Sequence, residues 1–191
     1  PEVWLELWQD EGMATYNVVV RIASEDFESH HPGWNIDGES GFDENSSAVI
    51  EVAIALRPDL FGNAEIVDAL EGDLYNVIPH EIHHLTQENQ PFQRPSCPIN
   101  LPKASESSYD YFISGCEIPA FLIGFRGEAF KKGKNVSDLI DSYLLNQVRV
   151  GKISTGDAEK IKSKWLQHSS WEKVSTSESL VRRYVRSILT Q

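Results

Sequence analysis

The spacing of apolar positions changes character near residue 64. Before it, apolar residues come in short β-branched runs. After it, they recur every three or four positions, as on one face of a helix. Tyr16-Asn17-Val18-Val19-Val20-Arg21-Ile22-Ala23 predicts a strand, and Ala48 to Leu56 predicts a mostly buried one that stops at Arg57-Pro58. Val3 to Trp8 fits a strand or a short helix. The stretch between, from His30-His31-Pro32-Gly33-Trp34 to Asn45, is rich in Gly, Asp and Ser and predicts a loop or irregular hairpin.

In the second part, Leu74, Ile78, Ile82 and Leu85 form one apolar stripe on a helix ending near Glu88. Pro79 lacks an N–H and crowds the carbonyl four residues back, so a kink or a fresh start is expected there. Residues 89–107 are polar with four prolines and predict a long surface loop. Helices are expected over 108–132, 136–148, 156–170 and 175–189. The run Lys131-Lys132-Gly133-Lys134 has the look of a helix end. Strands first and helices afterwards predict an α+β fold. With 191 residues, one domain over 1–191 is expected, mainly strands and loops in 1–62 and mainly helical in 63–191.

Charge narrows the partners. Residues 1–78 hold 17 acidic and two basic side chains, whereas 126–191 hold 13 basic and seven acidic ones. An acidic half of this size repels phosphate, so nucleic acid is not an expected partner. The basic tail can complement the acidic half of its own fold or meet an acidic partner. No apolar run reaches the ~18 to 20 residues that span a bilayer, and no start of the signal-peptide kind is visible. The expected protein is soluble, and its compartment stays open between cytoplasm and virion. Two cysteines without CxxC spacing, Cys97 and Cys116, predict two ordinary thiols, with a bridge between them as the lesser reading. The five tryptophans are expected in packing roles.

Chemistry is concentrated in His80-Glu81-Ile82-His83-His84. On a helix each residue advances about 100°, so His80 and His84 lie about 40° apart on one face. Both imidazoles can then reach one metal ion at about 2.0 to 2.1 Å. Glu81 lies about 60° from His84 on the same side, where a carboxylate must be to take a proton from water on the metal. His83, on the far side, is expected to be a neighbour of the site.

A third protein ligand is required if the fourth position is to stay open. Glu117 is the leading candidate, because Ser114, Ala120 and Gly124 give its face small side chains that admit a close helix. A glutamate on a mostly apolar helix also needs a partner, and none sits three or four residues away. Pro119 is expected to distort or restart the helix near Glu117. His30, His31, His168, Asp110, Glu128 or a cysteine remain alternative donors.

The motif resembles the HExxH signature of zincin metallopeptidases, and a glutamate on the following helix is similar to the gluzincin arrangement of thermolysin-like enzymes. The segment Tyr111 to Ala120 resembles small uncharacterised metallopeptidase-like proteins, some of them phage-encoded. The likeness covers residues 48–125. It departs from thermolysin in the gap of 33 residues between His84 and Glu117. The resemblance implies one Zn2+, a peptide or protein substrate, and Glu81 as general base. It also implies an edge strand before the motif helix that receives the substrate backbone, for which Ala48–Leu56 is the candidate. An oxyanion donor is implied too, with Tyr109, Tyr111 and His168 as candidates. Two other readings are a zinc hydrolase of non-peptide amides or esters, and a non-enzymatic structural or virion-associated protein retaining the site.

Overall fold

The computed structural model describes residues 2–7, 16–25, 33–44, 48–88 and 108–168. It is an α+β fold. A four-stranded sheet is formed by β1 (Glu2–Leu7), β2 (Tyr16–Ser24), β3 (Trp34–Phe42) and β4 (Ala48–Leu56), in the order β1-β2-β4-β3. β2 and β4 run parallel in the centre, while β1 and β3 flank them antiparallel. Helices follow: α1 (Ala64–Glu88), α2 (Ser108–Phe112), α3 (Glu117–Lys132), α4 (Val136–Arg149) and α5 (Thr155–His168). Among these residues no helix is long and apolar enough to cross a membrane.

Of the strand or short helix expected from Val3, the described residues are strand, in β1, and the runs at Tyr16 and Ala48 are β2 and β4. Two expectations for the sheet are corrected. The segment after His30-His31 is not all loop, because residues 34–42 form β3. Its Trp34, Ile36, Gly38 and Ser40 are half-buried, whereas Asn35, Asp37 and Glu39 are exposed. Polar residues obscured that alternation, as an edge strand covered on one face has little apolar surface to hide. β4 is a central strand, hydrogen-bonded on both sides, so it has no edge to offer. It is mostly buried, as expected: Ala48, Ile50, Val52, Ile54 and Leu56 are buried, and Glu51 and Ala53 are exposed.

One helix explains that asymmetry. α1 lays Leu70, Leu74, Val77, Ile78, Ile82 and Leu85 on the sheet face formed by Val18, Val20, Ile36, Ile50, Val52 and Ile54. Each such side chain withdrawn from water contributes roughly 1.5 to 3 kcal/mol. Asn63 caps α1, its Oδ1 accepting from the backbone N–H of Glu65 at 2.9 Å. The helix then runs unbroken through Pro79 to Glu88, so the expected fresh start does not occur. Pro79 leaves the Tyr75 carbonyl without its usual i+4 donor. That carbonyl faces Gly127 of α3 so closely that a Cβ on the glycine would overlap its oxygen. Backbone packing against α3 thus accommodates the missing bond.

The expected helix over 108–132 is broken into α2 and α3 at residues 113–116. Pro119 stands in the first turn of α3, where a missing N–H costs nothing. The Glu117 N–H is served instead by Ser114 Oγ at 3.2 Å. α3 ends at Lys132, with Gly133 in the left-handed conformation (φ 60°). α4 and α5 close a second core around Phe112, Phe121, Phe125, Ile140, Ile161 and Trp165. Trp165 is fully buried, and its indole N–H donates to the Phe112 carbonyl at 2.7 Å. Cys116 is disulfide-bonded, which corrects the expectation of two ordinary thiols; spacing carries no signal for a bridge made by folding. The other cysteine, Cys97, the His30-His31 pair, the loop 89–107 and the helix expected at 175–189 lie outside the described residues.

Candidate metal centre

α1 and α3 pack along each other through residues without bulk. A Cβ at Gly124 would come within 2.7 Å of the Asn76 backbone oxygen. This close approach carries Glu117, in the first turn of α3, to the face of α1 that bears the motif histidines. His80 Nε2 and His84 Nε2 lie 3.0 Å apart. Glu117 Oε2 stands 3.4 Å from the first and 3.5 Å from the second. Among the described residues, His80, His84 and Glu117 form the one such group able to offer a metal ion three donor atoms.

The cluster is largely enclosed: His80 and Glu117 are buried and His84 is half-buried. Glu117 Oε2 is a buried oxygen with no hydrogen-bond partner. A buried carboxylate oxygen without a donor is costly, and a cation held by two imidazoles and this oxygen would satisfy it. Nitrogen and carboxylate donors are those that Zn2+ takes. The residues therefore fit a zinc ion. Burial pushes the Glu117 carboxyl up, but the two imidazoles facing it prevail and hold it at about 2. His83 is not part of the group. Burial, then the neighbouring His84 and His80, lower its imidazole to about 4, so it is neutral at physiological pH.

Glu81 is buried beside the cluster, with Oε1 4.0 Å from His80 Nε2. Its Oε2 accepts a hydrogen bond from Ser40 Oγ of β3 at 2.8 Å. Phe121 packs edge-on against the His80 ring with centroids 4.8 Å apart. Tyr111 sits next to the cluster: burial, then the negative charge of Glu117 and a hydrogen bond to it, raise its phenol far above the ordinary range. The two other oxyanion candidates are placed elsewhere. The Tyr109 ring has Lys160 Nζ of α5 5.7 Å from its centroid, and His168 is exposed at the end of α5. Of the alternative ligands, Asp110 is exposed on α2. Glu128 is buried in another group, bonded to Asn76 Nδ2 and Lys132 Nζ at 2.7 Å each.

No protein-family model, no curated protein and no solved structure matches this chain. Its site must be read from its own residues. Two contributors escaped the sequence. Ser40 lies in the segment expected as a loop or irregular hairpin, and the alternation from Trp34 to Ser40 marks it as the first strand of a hairpin with β4. Tyr143 of α4, packed against Phe121 and Phe125 at 5.8 and 5.4 Å, has its phenol raised by burial, by Glu117 and by Asp37 of β3. Nothing local in sequence announces that packing.

Proposed function

We propose that this chain is a zinc-dependent hydrolase, with peptide bonds as its substrates. The observation supporting this most is the convergence of His80, His84 and Glu117 with a fourth group, Glu81, held beside them and outside the donor set. A purely structural zinc site is closed by four ligands and has no use for such a carboxylate. The zincin resemblance of the motif points the same way.

In this reading His80, His84 and Glu117 hold the ion, which when bound acts as a Lewis acid toward a carbonyl and acidifies water. Glu81 accepts the proton of the attacking water on Oε1 and delivers it to the leaving amine. Tyr111, beside Glu117, is the best placed of the three candidates to donate to the developing oxyanion. The substrate backbone aligns along β3, the edge strand that Ser40 ties to Glu81, in place of the central β4. An edge strand receives extended chains through backbone hydrogen bonds, which favours peptides over small amides or esters.

The test is Glu81→Gln. It should retain one zinc per chain while losing hydrolysis of an unfolded protein or peptide library by about 100- to 10,000-fold. Undiminished turnover in this variant would refute the mechanism, and absence of zinc from the wild type would refute the site.

A further inference from the structure

A glutamate side chain has three rotatable bonds, and on a helix beside a cleft it can swing through several rotamers. Glu81 is prevented from doing so by β3. Ser40 Oγ donates to Oε2 at 2.8 Å. At Gly38, two residues earlier on the same face, the strand comes so near that a Cβ would stand 2.5 Å from Val77 Cγ1, 3.0 Å from Glu81 Cγ and 3.1 Å from Glu81 Oε1. The absent side chain at Gly38 lets the strand reach Glu81, and the hydroxyl at Ser40 then grips one of its oxygens. The other oxygen is left 4.0 Å from His80 Nε2.

We propose that Ser40 is a positioning residue for Glu81, holding Oε2 against the edge strand so that Oε1 alone faces the metal cluster. The proposal rests on Glu81 being the base. It assigns the two carboxylate oxygens different tasks, one anchored and one free to take the proton. It also makes β3 responsible for both partners of the reaction, since the strand whose outer edge is offered to the substrate sets the base with its inner face. A shift of β3 by one residue would withdraw the hydroxyl from Glu81, because alternate residues face opposite sides of a sheet.

The experiment compares Ser40→Ala, Ser40→Thr and Glu81→Gln in the full chain, loaded with zinc for kinetics and with Co2+ as a spectroscopic probe. Ser40→Ala should bind zinc with a Kd within about twofold of the wild type, because the hydroxyl is bonded to Glu81 and not to a donor of the cluster. Its kcat should fall about 10- to 100-fold at unchanged KM, the worth of a hydrogen bond to a charged group. Ser40→Thr, which keeps the hydroxyl, should recover most of that loss. In the Co2+ protein, Ser40→Ala should shift the visible absorption bands in the same direction as Glu81→Gln, and should add no shift in the Glu81→Gln background. Wild-type kcat and wild-type Co2+ bands in Ser40→Ala would overturn the proposal, as would loss of zinc affinity in step with activity. A wild type that hydrolyses nothing defeats the peptidase reading, and the Co2+ comparison then still decides whether Ser40 sets Glu81.

Discussion

Glu117 Oε2 and the two imidazole nitrogens facing it are three electron-pair donors gathered with no donor hydrogen aligned between them and the oxygen. That arrangement suits a cation. Glu117→Gln tests two properties of the site. The imidazoles hold the Glu117 carboxyl well below the ordinary range, so its charge favours the folded state at neutral pH, and the metal-free amide variant should be less stable than the wild type by about 1 to 3 kcal/mol. Zinc affinity should fall by at least about 100-fold, since an amide is a far poorer ligand than a carboxylate. Urea unfolding in a chelator and zinc competition titrations check the two halves. The readability of the site follows from the same residues. His80, Glu81 and His84 share one helix, so their relation is a matter of the helical period and stands in the sequence. Glu117 needed one tertiary inference, drawn from the small side chains around it. Ser40 reaches Glu81 and Tyr143 packs on Phe121 from a strand and a helix far away in sequence, and no local pattern reports such contacts.

Among the elements, the pairing of α1 with α3 sets where the glutamate falls. Pro79 and Gly127 act together there: the proline has no N–H to donate to the Tyr75 carbonyl, and the glycine lets α3 approach that carbonyl. Gly127→Ala places a Cβ on that oxygen, so the helices must part. The expected cost is about 1 to 3 kcal/mol in urea unfolding, with weaker zinc binding because α3 carries Glu117 away from the histidines. Stability lost without a change in zinc affinity would show that the helix separation does not govern the site. The two prolines also show where sequence reasoning holds. Pro119 marked a helix start, because there its missing N–H and its fixed φ act locally. Pro79 did not mark one, because packing against a second helix overrode the local preference. β3 stays undecided between loop and hairpin in the sequence for a related reason: an edge strand with Gly38, Gly41, Asp37 and Glu39 has the composition of a loop, and its identity comes from β4 beside it.

Across the whole molecule, the charge asymmetry of the sequence is partly resolved internally. Lys131 meets Glu71 at 2.6 Å, and Lys132 bridges Glu128 at 2.7 Å and Asp73 at 3.4 Å. Trp34 of β3 donates to the same Asp73 at 3.1 Å. Sheet, α1 and α3 are thereby joined about two turns from His80 along α1 and about three or more turns from Glu117 along α3. A ligand held by α1 and α3 together stabilises that assembly and not the unfolded chain. Zinc at about 100 times its Kd should add about 2.7 kcal/mol, raising the Tm by roughly 5 to 10 °C for a chain of this size. Glu117→Gln should abolish the rise, and thermal unfolding with and without zinc reads both.

The outer edge of β3 carries a second consequence, for colloidal behaviour. Among the described residues it is unpaired, and an unpaired edge is a template for the same strand of another copy. Its outward side chains include Asp37 and Glu39, with Glu51 of β4 directly opposite Glu39. Two such edges brought together would oppose like charges along their length, whereas an incoming peptide need not carry them. The edge is thus open to foreign chains and guarded against its own kind.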